Sequence, residues 1–390
     1  MEPSKQIFIS DIHMGYDKEV SGRRPYVWFN TNAPFLEKFL DKQLRAADVK
    51  AVVILGDLFD QWNIPMDYTP VTTFELICEN DTNQQVVAKM KELGLAGKLI
   101  YVPGNHDMAM SREQLSPVRD YIVQTFPGID FRCDTDLPSG KYEDGALIAE
   151  HGNRYCLFNA PDVWTNPDSF LPLGYFVTRC VAYQASKTGN SQTLPHIFSN
   201  FLKSWAADPI SLIGDVFSAI CLDEGTGLTL ESIYTLDDIP GYNAGALSVG
   251  DVKARFSGLY SDWAHSARAR LVQANTALIN ERDTLYEAAE LVHFYPGSAE
   301  AHEVVIFGHT HQPCLKGVPV ADGIQTVSED PHACFSIYAN SGTWVDSAGK
   351  GGDYVETEEV VAGGDKRLHV RLKKYTGTED TVIDWGYVRG

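Results

Sequence analysis

Along the first third of the chain, short unbroken apolar runs alternate with apolar residues at helical spacing. Gln6 to Ser10 reads as a buried strand. Asn32 and Pro34, followed by Phe35, Leu36, Phe39, Leu40 and Leu44, predict an amphipathic helix with Asn32 at its cap. Lys50 to Leu55 is a second buried strand. A second helix is expected from Asp81 to Leu93, with Val86, Val87, Met90 and Leu93 on one face and Gly94 behind it. Lys98 to Val102 is a third strand. This strand–helix alternation predicts an α/β fold with parallel pairing. Further strands are expected over Asp144 to Ala149, Glu303 to Phe307 and Ser336 to Ala339.

Between about 165 and 301 the pattern turns helical: Phe198, Phe201, Leu202 and Trp205, then Leu212, Ile213, Val216 and Phe217, then a long stretch over 252–292. Glycine-rich breaks at 224–227 and 241–250 divide it. The expectation is a mostly helical insertion, 165–301, within a discontinuous domain made of 1–164 and 302–390; it reads as a cap over the pocket, with an oligomerisation arm as the alternative. Past Trp344 the chain is polar and glycine-rich, then Leu368, Val370 and Leu372 alternate as in a terminal antiparallel hairpin.

The length of 390 residues suits a large domain with an insertion. A formal net charge of −20 repels nucleic acid and anionic membrane surfaces, and no run of lysine and arginine offsets it, so nucleic acid is not an expected partner. Seven scattered cysteines without a CxxC pair point to reduced thiols. No signal peptide and no membrane-length apolar run is evident, which makes a cytoplasmic location the expectation.

The chemistry lies where polar residues follow the apolar runs. The first strand runs into Asp11-Ile-His13, the second into Gly56-Asp57-Leu-Phe-Asp60, the third into Gly104-Asn105-His106-Asp107. The run from Ala146 leads to His151, and Val304 to Phe307 lead to Gly308-His309-Thr-His311. In open α/β sheets the carboxyl ends of strands form the ligand crevice. Carboxylate, imidazole and amide oxygens suit borderline-hard divalent cations, and two such cations about 3.5–4 Å apart can clamp a phosphate. Taken singly, Asp-x-His reads as chance, Gly-Asp-x-x-Asp as a turn with a helix cap, and His151 as a core histidine. Five motifs in this order, each at a strand end, favour a metal centre.

This set resembles the calcineurin-like metallophosphoesterase superfamily, over residues 7–311 without the insertion. The resemblance implies a four-layer αββα sandwich, two facing sheets with helices outside. It implies that Asp11, His13 and His311 bind one cation, that Asn105, His151 and His309 bind the other, and that Asp57 bridges them. Manganese is the first choice, with iron, zinc or nickel as alternatives. His106 stands at the family's non-ligand catalytic histidine. Asp60 resembles the aspartate that orients this histidine in phosphoprotein phosphatases, although a helix cap is an equal reading. Gln61 and Asp107 depart from the Arg and Glu of that branch. Phe59 and Asp60 lack the tyrosine of purple acid phosphatases. The stretches at Gly56 and Phe307 look like the UDP-diacylglucosamine pyrophosphohydrolase branch, which has Arg where His106 stands, so no substrate carries over.

Arg154, three residues after His151, is a candidate to grip a phosphate oxygen. For Arg23 and Arg24 an ordinary surface salt bridge is the plainer reading, and Trp62 is either a pocket wall or core. The expected activity is hydrolysis of a phosphomonoester, phosphodiester or pyrophosphate bond in a small molecule, by in-line attack of a metal-bridging hydroxide with His106 assisting the leaving group. A non-catalytic scaffold on the same fold, or a nuclease of the same superfamily, is the alternative. The first would be expected to lack ligands and the second to be basic.

Overall fold

The computed structural model describes residues 3–18, 27–65, 74–108, 116–133, 139–156, 159–161, 170–188, 233–235, 246–248, 285–295, 297–319, 321–322, 326–327, 330 and 332–389. In chain order these form β1 (Lys5–Ile9), α1 (Ala33–Arg45), β2 (Val49–Leu55), α2 (Phe74–Glu79), α3 (Gln84–Leu95), β3 (Leu99–Val102), α4 (Ser116–Thr125) and β4 (Asp130–Phe131). Then come β5 (Lys141–Asp144), β6 (Leu147–Glu150), α5 (Leu173–Thr188), β7 (Ile233–Thr235), β8 (Ala246–Ser248) and α6 (Leu285–Ala289), which runs into a wider turn of helix at Glu290–Phe294. The C-terminal part carries β9 (Val304–Phe307), β10 (Cys314–Pro319), β11 (Ala321–Asp322), β12 (Thr326–Val327), β13 (Ala333–Asn340), β14 (Gly352–Ala362), β15 (Asp365–Tyr375) and β16 (Asp380–Arg389).

A twelve-stranded mixed sheet with flanking helices organises the chain, in the order β4-β3-β2-β1-β14-β15-β16-β13-β9-β6-β5, with β10 beside β13. The expected parallel pairing holds for β1 with β2, β2 with β3 and β3 with β4. A second parallel set joins β6, β9, β13 and β16. Side chains alternate across the strands. From β1, Ile7 and Ile9 join Leu36, Phe39 and Leu40 of α1 and Met90 of α3 in one apolar cluster. Phe8 points the other way, into a cluster with Val53 and Leu55 of β2, Leu147 and Ala149 of β6, and Val304 and Ile306 of β9. Contacts on this side join β1 and β2 to β5: the rings of Phe8 and Tyr142 lie 6.0 Å apart, and Lys50 on β2 pairs with Asp144 on β5 at 2.7 Å.

Three local expectations are corrected. The segment from Asp144 to Ala149 is not one strand: Asp144 ends β5, the chain turns at Gly145, whose φ of +61° glycine adopts without strain, and Leu147 to Ala149 run back as β6. The terminal hairpin is a three-stranded meander, β14 to β16, whose first strand pairs antiparallel with β1. Asn32 makes no side-chain cap bond to α1. Its fully buried carboxamide donates instead to the carbonyls of Trp344, Val345 and Gly349 and accepts from the Gly351 amide. The loop after β13 has no strand partner for those groups, so the side chain replaces one. Asp346 answers by accepting the amides of Asn30, Thr31 and Asn32.

The helices expected at 198–205 and 212–217, and most of 252–292, lie outside the described residues. Among the described residues between 165 and 301, α5 and α6 are helical, while β7 and β8 form an antiparallel pair. No helix of the described residues is long and apolar enough to cross a membrane.

Asn32→Ala would strand several buried carbonyls at once. Each unsatisfied buried group costs roughly 1–3 kcal/mol, so urea unfolding should show a loss of at least about that size with an unchanged slope. A midpoint equal to wild type would mean that water or a rearranged loop takes over the bonds.

Candidate metal centre

The seven predicted donors converge at the carboxyl ends of β1, β2, β3, β6 and β9. His311 Nε2 lies 3.2 Å from Asp11 Oδ1 and 3.1 Å from His13 Nε2. Asp57 Oδ2 lies 3.7 Å from His13 Nε2 and 3.3 Å from His151 Nε2. Asn105 Oδ1 is 3.0 Å from His151 Nε2. Donor atoms fall into three overlapping groups, each within 4.8 Å: Asp11, His13 and His311; Asp57, His151 and His309; and His13, Asp57 and His106. Asp57 belongs to two of them.

Local backbone geometry is unusual here. Among the described residues, six non-glycines have positive φ, and five are candidate ligands: Asp11, His13, Asp57, His309 and His311. The left-handed region costs an L residue about 1–2 kcal/mol, and such strain collects where surrounding structure enforces it. Past the strand ends, the loops after β1 and β2 continue to pair, with the amides of Ile12 and His13 donating to the Asp57 carbonyl at 2.9 and 2.8 Å. Gly104 lets the third loop close on the second, since a Cβ there would sit 2.3 Å from Asp57 Oδ1. The His106 amide donates to that same oxygen at 2.8 Å.

The donor set fits divalent cations on more than residue type. His151 donates Nδ1–H to the Leu55 carbonyl at 2.7 Å, and His13 Nδ1 lies 3.2 Å from Asp60 Oδ2. In each case the second ring nitrogen, Nε2, is turned toward the cluster, as in metal-binding imidazoles held by an outer partner. Asp11 Oδ1 is buried without a hydrogen bond. Burial opposes charge on Asp11 and Asp57, but the neighbouring histidines outweigh it and hold both below the ordinary carboxylate range, Asp11 at about 2. For His151, burial is likewise outweighed by Asp57 and Asp11, and its pKa is pushed up to about 10. His309 goes the other way, down to about 3, through burial and the adjacent His151.

Asp60 holds two rings. Its Oδ1 is 2.9 Å from His106 Nδ1 while Oδ2 faces His13, and it also accepts the amides of Trp62 and Asn63. Burial lowers the tendency of His106 to ionise, but Asp60 and Asp57 outweigh that and raise its pKa. Trp62 is buried and stacks on His106, with ring centroids 4.4 Å apart. Arg154 pairs with Glu150 at 2.6 Å and with Glu300 at 2.9 Å. Arg23 and Arg24 lie outside the described residues.

Other parts of the site carry no family motif. Asn340 at the end of β13, with Ser341 and Thr343 just after it, braces the ligand loops: Asn340 donates to the Gly308 carbonyl at 2.7 Å, Ser341 Oγ meets Ser10 Oγ at 2.7 Å, and Thr343 donates to the Asp11 carbonyl at 2.7 Å. The signal was present, since Asn-Ser-Gly-Thr is a sixth polar turn directly after an apolar strand. Asn159 Nδ2 lies 3.4 Å from His309 Nε2. Trp28 faces three of the histidines. Neither residue has a neighbouring motif to mark it.

Residues 5–179 match the family model of the calcineurin-like phosphoesterases. This match is in line with the resemblance that the motif order carries to the metallophosphoesterase superfamily. It contains the loops bearing Asp11 to His151; the loop bearing His309 and His311 lies beyond it and joins the same cluster in space. No curated protein matches the chain.

Cation binding here competes with the proton that Asp57 and Asp11 favour on His151. Ligands must be deprotonated to bind, and with His151 pushed up to about 10 the apparent Mn²⁺ affinity should keep rising with pH from neutral toward that value. Calorimetry in buffers of different ionisation heat should detect proton release. Affinity independent of pH would count against His151 as a ligand.

Proposed function

We propose that this protein is a dinuclear metal-dependent hydrolase of phosphoester bonds in a small-molecule substrate. The observation that supports this most is the position of Asp57, grouped with His151 and His309 on one side and with His13, itself in the Asp11 and His311 group, on the other. In this reading Asp11, His13 and His311 hold one cation, Asn105, His151 and His309 hold the other, and Asp57 touches both. Manganese fits the mixed oxygen and imidazole donors, as do iron, zinc and nickel. When bound, the cations supply charge neutralisation for the phosphoryl group and activation of a water.

The chain's own residues do the rest. Asp60 fixes the His106 ring and favours its protonated form, so that Nε2 carries a proton toward the leaving oxygen. Trp62 stacks against that ring and limits its rotation. Asn105 is held beside His151. Arg154 is kept as a candidate phosphate contact, although reaching a phosphate would require it to leave Glu150 and Glu300. All proposed donors are present, which favours an enzyme over a scaffold, and net charge −20 disfavours a nuclease.

We also propose the four-layer arrangement, in which the two parallel wings of the sheet face each other across the cluster containing Phe8, and the division into 1–164 with 302–390 and a cap at 165–301. Support for a cap is the seating of α5: Arg179 donates to the carbonyls of Ile64 and Pro65, just after the second motif.

The test separates metal binding from proton transfer. With a chromogenic aryl phosphodiester and Mn²⁺, His106→Ala should retain metal by elemental analysis and lose about 10²–10⁴-fold in kcat. Asp57→Asn should lose metal and activity together. The opposite pattern, metal lost from the first variant and kept by the second, would reverse the assignment.

A further inference from the structure

An imidazole that binds a cation does so through one ring nitrogen, and a partner on the other nitrogen fixes the ring and its tautomer. His13 has Asp60 for this, and His151 has the Leu55 carbonyl. For His309 the partner lies outside the five motifs: its Nε2 faces the Asn159 side chain, 3.4 Å from Nδ2.

Asn159 is carried to this point by the loop that also carries His151. Gly152 takes φ of +100° directly after that ligand, and a short 3₁₀ turn follows at Asn153–Tyr155. The Cys156 carbonyl then accepts the amides of Asn159 and Ala160 at 3.1 and 2.7 Å. The buried Asn153 side chain donates to the Asn159 carbonyl at 3.1 Å. The backbone of Asn159 is thus held at both its amide and its carbonyl, and its half-buried side chain meets a ring 150 residues further along the chain. The His151 and His309 loops touch again where the Gly308 amide donates to the His151 carbonyl at 3.0 Å. The two imidazoles of this donor group lie 5.1 Å apart, centroid to centroid.

A carboxamide suits this place chemically. With Nε2 turned to Asn159, Nδ1 is the His309 nitrogen left for a cation. A neutral imidazole bonded through Nδ1 carries its proton on Nε2, and that proton needs an acceptor. Without a cation, Nε2 can instead accept from the amide nitrogen. Asparagine serves both states, because a half turn about its last side-chain bond exchanges nitrogen for oxygen. The Cys156 thiol, 3.5 Å from Asn159 Nδ2, is a weak donor and a weak acceptor and is compatible with either orientation.

We propose that Asn159 is a positioning residue for the cation bound by His151 and His309, its carboxamide oxygen accepting the Nε2 proton of His309. This inference rests on the two-cation reading of the site and adds an outer partner to it.

Calorimetric titration of Mn²⁺ into the metal-free full chain tests this without turnover. The wild type should take up two equivalents. Asn159→Ala should weaken one of them about 10–100-fold and leave the other, at Asp11, His13 and His311, unchanged. Asn159→Asp keeps an acceptor oxygen at the same reach and should hold wild-type affinity or exceed it. In the Zn²⁺-loaded wild type, nitrogen-15 spectra of the histidines should show His309 protonated at Nε2. Two unchanged affinities in Asn159→Ala, equal weakening of both, an Asp variant as weak as the Ala variant, or a His309 proton on Nδ1 would each overturn the proposal. Failure of the two-cation reading looks different: the wild type itself would take up fewer than two equivalents, and the proposal would fall with it.

Discussion

Three carboxylates, Asp11, Asp57 and Asp60, are almost completely buried within one small volume. Burying an ionised carboxylate costs several kcal/mol unless opposite charge is close, and here all three are held ionised by surrounding imidazoles. The arrangement makes physical sense only if positive charge is gathered around them. Asp57 is the pivot: one oxygen accepts the His106 amide, and the other faces His13 and His151. Loop closure at Gly104, the left-handed backbone at five donors and the bracing by Asn340, Ser341 and Thr343 all hold this concentration of like charge in place.

The sheet explains how distant segments reach one point. β1, β2 and β3 run parallel, as do β6, β9 and β13, so each set delivers its carboxyl ends together. The apolar cluster containing Phe8, Val53, Leu147 and Val304 then joins the two sets. The chain can therefore supply His309 and His311 from far beyond Asp57 without distorting any strand. Elements between them need only leave and return near the strand ends.

Much of this was legible in the sequence because it depends on local signals. Buried strands announce themselves by unbroken apolar runs, and Asp57 or His309 stand out because charged or imidazole residues follow such runs immediately. What was missed depends on tertiary context. Asn32 has the residue type and position of a helix cap, but the unpaired carbonyls of a loop more than three hundred residues away take its carboxamide. Gly145 looks the same in sequence whether it continues a strand or turns a hairpin. Trp28 carries no motif, and its place beside His13 and His311 follows only from the clamp between Asn32 and Asp346.

The central claim is that Asp57 joins two cation sites. Anomalous diffraction from crystals grown with Mn²⁺ tests it most directly. The account predicts two peaks about 3.5–4 Å apart, one between His13 and His311, the other beside His151 and His309, with the Asp57 carboxylate in contact with both. A single peak, or two peaks neither of which touches Asp57, would contradict it.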